Sequence, residues 1–517
     1  MPEDFNHDVQ ACEKAAHAGP TLASRGERRL TPSAGDDAAL PRDPGRATES
    51  RQPGRRMRLA WAMGLSFAAF ALALVTFRGF DPGFMSPDSL DQYLQATGRN
   101  RVTDWHPPVL MQLWRVLLNV TAQPSSMLAL QLVFYWGSLL TIALVLLRRS
   151  GSWPWAFAVL GVGGIPNLLT FAGVIWKDVH LALVLLATVA LMMVAEEVPS
   201  RRPFRWGLMA VSVILLAYAV LVRKNALVAL PPIVYALYSG FSGPQRRLRF
   251  LLGWVVAIAV AAGLGQVAIT TLINPLQGHQ FAAIAVDDIS HVSTADDIRG
   301  SGLSADLQAR LLRARVDCAQ KHILMNSYLN CYDYKPVGPV PVPNAAELQA
   351  AWPRLMLRQP VGYVKYRTQL FVELLVHPRV FWGDGVMKNS EGLRVAHPYL
   401  AEVMHRYVVG VGVGDFGFLF SGVTWFVGAL YMAFRRRRGQ HGTLVKCLGL
   451  SALMYILAYW PFTPANDFRY LYWSAFAVTV GLVLSLHDRY AMGAMVKSES
   501  SHRPRRIWLR WGPDDSA

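Results

Sequence analysis

Residues 127–147 read MLALQLVFYWGSLLTIALVLL, with Arg148-Arg149 directly behind them. Nothing in the run is charged, and a bilayer-crossing helix needs about 20 mostly apolar residues. The run is long enough to cross, and it is apolar on every side, as a lipid-embedded helix must be. The arginine pair marks a cytoplasmic end. Nine further candidates read the same way: Leu59–Phe77, Trp155–Gly173, Leu181–Ala195, Trp206–Val222, Leu227–Ser239, Phe250–Ile273, Phe416–Phe434, Leu444–Trp460 and Tyr470–Leu486. Leu181–Ala195 and Leu227–Ser239 are short, and Pro231-Pro232 predicts a kink or break in the latter. Pro107–Val120 is too short to cross and carries Arg115, which suits a helix lying in the interface or packed on the bundle. The fold class expected is an all-α polytopic membrane protein with about ten transmembrane helices and an external, mainly helical loop domain.

The whole composition agrees. The 517 residues are 53% hydrophobic and 16% charged, with mean hydropathy +0.25, whereas soluble chains carry about 25% charge. The net charge of +17 would suggest nucleic acid in a soluble protein. Here the arginines flank apolar runs, so membrane lipid is the expected partner and nucleic acid is not. Cys12, Cys318, Cys331 and Cys447 are too few for a disulfide scaffold and lack metal-ligand spacing.

Arginine placement orients the chain. With the amino terminus inside, the inner segments are 51–58, Arg148-Arg149, 201–205, 246–249, 435–438 and the tail from Arg489, all arginine-rich. An even number of spans with both termini cytoplasmic follows, in a bacterial cytoplasmic (inner) membrane. The division expected is a disordered cytoplasmic tail (1–56), a bundle of seven spans (57–273) with a first external loop (78–126), an external periplasmic domain (274–415), three last spans (416–488) and a cytoplasmic tail (489–517). For the amino-terminal segment, a start codon placed too far upstream is the alternative. Cys318 and Cys331 fall outside, where oxidation permits a disulfide; two unpaired buried thiols are the alternative.

Ionisable groups at membrane depth are costly and mark sites. In this topology they gather at the outer ends of different spans. Ser86-Pro87-Asp88-Ser89-Leu90-Asp91-Gln92-Tyr93 and Asp104-Trp105-His106 follow the first span. Trp176-Lys177-Asp178 and Arg223-Lys224-Asn225 follow later ones, and Asn466-Asp467-Phe468-Arg469-Tyr470 precedes the last. His377, Asp384, Lys388 and His397 come from the large loop. Singly, each has an ordinary explanation: snorkelling for Arg223-Lys224, a local ion pair for Lys177-Asp178, a helix start at His106-Pro107-Pro108, anchoring for Asp467 and Arg469. Together they suit an anionic lipid-linked substrate. Cations hold phosphate, and an aspartate can take the proton of an acceptor hydroxyl. Asp88 or Asp91 is the candidate base, with His106 beside them. Lys177, Arg223, Lys224 and Arg469 are candidates for phosphate, with Tyr93, Asp104, Asp178, Asp467 and Tyr470 around the substrate. No cofactor is expected, although Asp88, Asp91 and Asp104 are the acids that would share a divalent cation.

The first loop, with Ser86-Pro87-Asp88-Ser89, Gln92-Tyr93 and then Asp104-Trp105-His106-Pro107-Pro108, resembles the multi-span GT-C type glycosyltransferases, which include the protein mannosyltransferases and the aminoarabinose transferase of lipid A. Trp176-Lys177-Asp178-Val179 and Asp467 to Tyr470 resemble features of bacterial relatives. The resemblance covers the first loop well and the rest by layout. It implies a catalytic acid in the first external loop, a polyprenyl-phosphate-linked sugar donor and a lipid, glycan or protein acceptor of the cell envelope. The family's common Asp-Glu pair is absent, because Ser89 follows Asp88, and this leaves Asp91 as the alternative counterpart. Competing readings are a flippase of lipid-linked sugar, with Pro231-Pro232 and 161–166 as helix breaks, a surface-polysaccharide polymerase or ligase, and a non-catalytic scaffold.

Overall fold

The structure is a computed structural model that describes residues 54–197, 202–239, 247–332, 342–380, 391–436 and 439–501. The expected amino-terminal tail lies almost wholly outside these residues, as do Asp384 and Lys388, whereas the expected carboxy-terminal tail begins as helix up to Ser501. The protein is a multi-pass, all-α membrane protein. Among the described residues the only β pairing is three isolated bridges.

The membrane part contains α1 (Arg55–Phe80), α4 (Ser126–Ser150), α7 (Lys177–Glu197), α8 (Arg202–Val222), α9 (Ala226–Ser239), α10 (Arg247–Leu272), α18 (Gly422–Phe434), α19 (Gly442–Leu457) and α20 (Tyr472–Ser501). Between them run the shorter α2 (Pro87–Ala96), α3 (Pro108–Thr121), α5 (Trp153–Gly161) and α6 (Pro166–Ala172). Among the described residues, seven helices are long and apolar enough to cross, or eight if the bent pair around Pro166 is one span. Three expected spans differ. Trp155–Gly173 is two helices meeting at 60°, because Gly163-Gly164 and Pro166 interrupt the backbone ladder. Leu227–Ser239 and Phe416–Phe434 form helices of 14 and 13 residues, short of a bilayer thickness at about 1.5 Å per residue. The break expected at Pro231-Pro232 does not occur, and α9 continues through both prolines.

Burial separates inner from outer helices. The apolar window of α7 is 89% buried, against 17% for α1 and for α10. All three are strongly apolar, so α7 is the central post and the other two present their sides to lipid. Helix α7 packs on α4, α8 and α20, while α19 packs on α9, α18 and α20.

A second core belongs to the segment that follows α10, the one expected to be external. Helices α11 (Gln280–Val292), α12 (Ala295–Arg299), α13 (Ala305–Gln320), α14 (Ser327–Asn330), α15 (Ala345–Arg358) and α16 (Pro360–Val376) bury Ile289, Leu311, Leu348 and Leu355. Thr294 and Asp297 form a reciprocal capping box at the start of α12. Cys318 and Cys331 are joined as a disulfide with Cα atoms 5.4 Å apart. Helix α17 (Pro398–His405) and the wider turns of 406–415 lead back to the bundle against α1 and α6.

Candidate active site

Two backbone segments position the site. After α1 the chain runs beside the segment preceding α7: Phe84 N–H donates to Gly173 O (2.8 Å) and Ile175 N–H to Phe84 O (3.0 Å). Glycine is needed at 173, since a Cβ there would lie 2.1 Å from the Phe80 ring. Side chains lock the same register. Trp176 Nε1–H donates to Ser86 Oγ at 2.6 Å, and Ser89 Oγ–H to Ile175 O at 2.6 Å. Asp88, in the first turn of α2, is thereby held near Lys177, the first residue of α7.

The loop before α20 supplies the third side. Arg469 Nη1 donates to Asp88 Oδ2 at 2.9 Å, while Nη2 lies 3.2 Å from Asp467 Oδ2 and 3.3 Å from Tyr470 Oη. The guanidinium sits over the Trp176 ring, 4.5 Å from its centroid. Arg469 thus supplies the positive charge between two carboxylates. Of the pair, the Asp88 side chain is 38% exposed and that of Arg469 only 13%, so the carboxylate is the member that a substrate can reach. Burial pushes the Asp88 carboxyl up, but Arg469, His106 and Lys177 together hold it below the ordinary carboxylate range.

Lys177 is half-buried and near enough to Asp88, Asp178, Arg223 and Arg469 to share their field. Among the described residues it makes no ion pair within 4 Å. The local ion pair that the adjacency of Lys177 and Asp178 offered is therefore not made. Asp178 is fully buried and gripped in a fork by Arg223, with Nε to Oδ1 at 2.8 Å and Nη1 to Oδ2 at 3.2 Å. Arg223 in turn lies over the Tyr459 and Tyr470 rings. Burial lowers the Arg223 pKa, but Asp178 and then the tyrosines Tyr459, Tyr455 and Tyr470 raise it on balance above the ordinary value. This pair is an internal strut beside the site; its charge is already answered. Asp467 does contact its near neighbour Arg469, and burial raises the Asp467 carboxyl against the pull of Arg469.

Other expected site residues point elsewhere. Asp91 is 7% exposed and accepts from Gln95 Nε2 (2.5 Å) and Asn100 Nδ2 (2.9 Å). Burial raises its pKa despite these bonds. His106 is buried, with Nε2 3.8 Å from Asp91 Oδ2. Burial pushes it down to about 3, Asp88 opposing and Lys177 and Arg469 assisting, so it is neutral at physiological pH. Asp91, on the buried side of α2, faces His106 below it, and Asp88 is the acid on the reachable side. Tyr93 is 9% exposed and packs on Trp114, with centroids 5.4 Å apart; it is a core residue. Asp104 accepts from Gly278 N–H at 2.5 Å and fastens the first loop to the external segment. Lys224 is exposed. His377 pairs with Glu373 at 3.4 Å, and His397 is exposed before α17. Asp88, Asp91 and Asp104 do not converge as one ligand set among the described residues.

No family model and no curated protein matches the chain. Solved structures do resemble it. One is the oligosaccharyltransferase AglB from Archaeoglobus fulgidus, in complex with an inhibitory peptide and a dolichol-phosphate: 14% identity over 87% of this chain and 53% of that one, TM-score 0.38. Another is ArnT from Cupriavidus metallidurans bound to undecaprenyl phosphate: 15% identity over 85% of this chain and 81% of that one, TM-score 0.33. The chain spans about half the length of the archaeal enzyme. At such TM-scores neither likeness bears on the chemistry of this site.

Sequence reading missed three contributors. Trp176 forms the platform under Arg469, and its place beside Lys177 was the available signal. Tyr459 flanks the Arg223 strut, just past the end of α19. Ser86 holds Trp176.

Proposed function

We propose that the protein is a GT-C type glycosyltransferase that moves a sugar from a polyprenyl-phosphate donor to a lipid, glycan or protein acceptor of the cell envelope. The observation that carries the reading is the reachable Asp88 carboxylate, paired to Arg469 and beside Lys177, a cation that makes no ion pair among the described residues. The donor phosphate takes Lys177 and competes with Asp88 for Arg469. Weakening the Asp88–Arg469 pair makes Asp88 a stronger base at the moment the donor is in place. Asp88 then accepts the acceptor hydroxyl proton. The acceptor oxygen bonds to the anomeric carbon, and the carbon–oxygen bond to phosphate breaks, leaving the lipid monophosphate on Lys177 and Arg469.

Orientation follows the same reading. Helix α7 begins at Lys177 and ends at Glu196 and Glu197, which pair with Arg149. The arginine-rich segments belong to the end opposite Asp88, which supports a cytoplasmic location for them and an outer-face site in a bacterial inner membrane. The test is transfer of labelled sugar from polyprenyl phosphate by detergent-solubilised protein. Turnover there, lost in Asp88→Asn, is the expected result. Activity confined to sealed vesicles would indicate a flippase instead.

A further inference from the structure

The bundle end away from Asp88 holds a second polar cluster with no part in that reading. His441 precedes α19, and His487 and Asp488 lie on α20, about 24 Å of helix beyond Tyr472. Their side chains are 1–4% exposed. His441 Nδ1 is 2.8 Å and His487 Nδ1 3.6 Å from the same oxygen, Asp488 Oδ1. The three ligand atoms all lie within 4.8 Å of one another.

We propose that His441, His487 and Asp488 bind one divalent transition-metal ion, zinc by donor preference. Two imidazoles and a carboxylate are a borderline-soft donor set suited to zinc. Metal–ligand bonds of about 2.0–2.2 Å in a tetrahedral site put neighbouring ligand atoms about 3.3–3.5 Å apart. The two observed separations bracket that spacing. His487 Nδ1 is a buried ring nitrogen with no hydrogen-bond partner, 3.6 Å from Asp488 Oδ1, and so is left free to ligate. The carboxylate is fixed from two sides. His441 N–H donates to Asp488 Oδ2 at 2.8 Å, and Gly439, at φ +79°, approaches so closely that a Cβ would lie 2.5 Å from the carboxyl group. A cavity of about 310 Å³ lined by Arg149, Glu196, Gln440 and His441 adjoins the cluster and gives a metal's fourth position access to water.

Arg149 is the opposing charge. Its Nη1 lies 3.3 Å from His441 Nε2, while its other nitrogens are held by Glu196 and Glu197. Metal on His441 Nδ1 requires the ring's proton to move from Nδ1 to Nε2, where it opposes Arg149; Arg149 stays held by Glu196 and Glu197 and gives up only its contact with His441.

The test uses full-length protein in detergent, stripped with chelator, reloaded with zinc chloride or cobalt chloride, desalted and assayed for metal per chain. The expected result is about one ion per chain and the visible bands of tetrahedral cobalt. His487→Ala, which removes a side chain making no hydrogen bond through Nδ1, should lose at least about tenfold in affinity, as should Asp488→Asn. His405→Ala should retain the metal. Wild-type protein that emerges without zinc or cobalt overturns the proposal. So does undiminished loading of the folded His487→Ala protein.

Discussion

Two aspartate–arginine pairs of similar length have opposite surroundings. In the segment between α10 and α17, Asp288 Oδ2 accepts from Arg367 Nη2 at 2.7 Å and from Trp352 Nε1 at 2.7 Å, with both charged side chains at most 1% exposed. Arg367 also donates to Thr463 O at 3.2 Å. At the mouth of the bundle, Asp88 and Arg469 meet at 2.9 Å, but the carboxylate is reachable, and Lys177 nearby makes no ion pair among the described residues. The geometry of the bond does not distinguish them; the neighbours do. A pair sealed under tryptophan holds two segments together, because breaking it strands a charge in low dielectric. A pair at a wet mouth with a spare cation can exchange partners at small cost.

Substitution tests that contrast. The largest effect is expected for Asp88→Asn, which keeps the shape but cannot take a proton. Turnover in the labelled-sugar assay should fall by about 10²–10⁴-fold with unchanged thermal unfolding. Asp91→Asn should cost less, and a reversal of the two would move the base to Asp91. Next is the sealed pair. Asp288→Asn or Arg367→Ala should destabilise by about 3–5 kcal/mol, read as a lower unfolding midpoint. A stable Arg367→Ala protein with impaired turnover would erase the distinction between the pairs.

Lys177→Ala and Arg469→Ala should lower turnover by about 2–4 kcal/mol, or roughly thirty- to thousand-fold, whereas exposed Lys224→Ala should change little. Equal, small effects at all three would make these charges topology signals only. The smallest effect concerns His106. Its folded pKa of about 3 lies below the ordinary 6.5, so the folded state resists protonation more than the unfolded one. Stability is full above pH 6.5 and declines as pH falls towards 3. His106→Gln should flatten that part of the midpoint-against-pH curve. A turnover limb near pH 6.5 that disappears in His106→Gln would show it titrating at the site instead.

The membrane class was legible because apolar runs and arginines obey strong rules. The outer-end residues were legible by topology, which places Asp88, Lys177, Asp178, Arg223, Asp467 and Arg469 at one end whatever the packing details. Their partnerships were not. Lys177 and Asp178 are adjacent in sequence, yet a helix turns consecutive side chains about 100° apart, and Asp178 faces Arg223. Asp88 and Asp91 share a short helix and look equivalent in a string of letters. Only the packing of α2 on His106 and Asn100, with Gln95 one turn further along the same helix, decides which acid is covered. The span through 155–173 looked continuous in hydropathy because its interruption is made of Gly163, Gly164 and Pro166, residues that break a backbone without adding charge.

The third bridge joins Arg379 to the loop before α20: Arg379 N–H donates to Asn466 O at 2.5 Å and Phe468 N–H to Arg379 O at 3.1 Å. Asn466 Nδ2 adds a bond to His377 O at 3.1 Å. The residue between those anchored positions is Asp467, which shares Arg469 with Asp88. The external segment and the charge balance at the mouth are consequently parts of one mechanical linkage. A force that drags residues 377–380 sideways pulls Asp467 with them and alters how firmly Arg469 is held against Asp88.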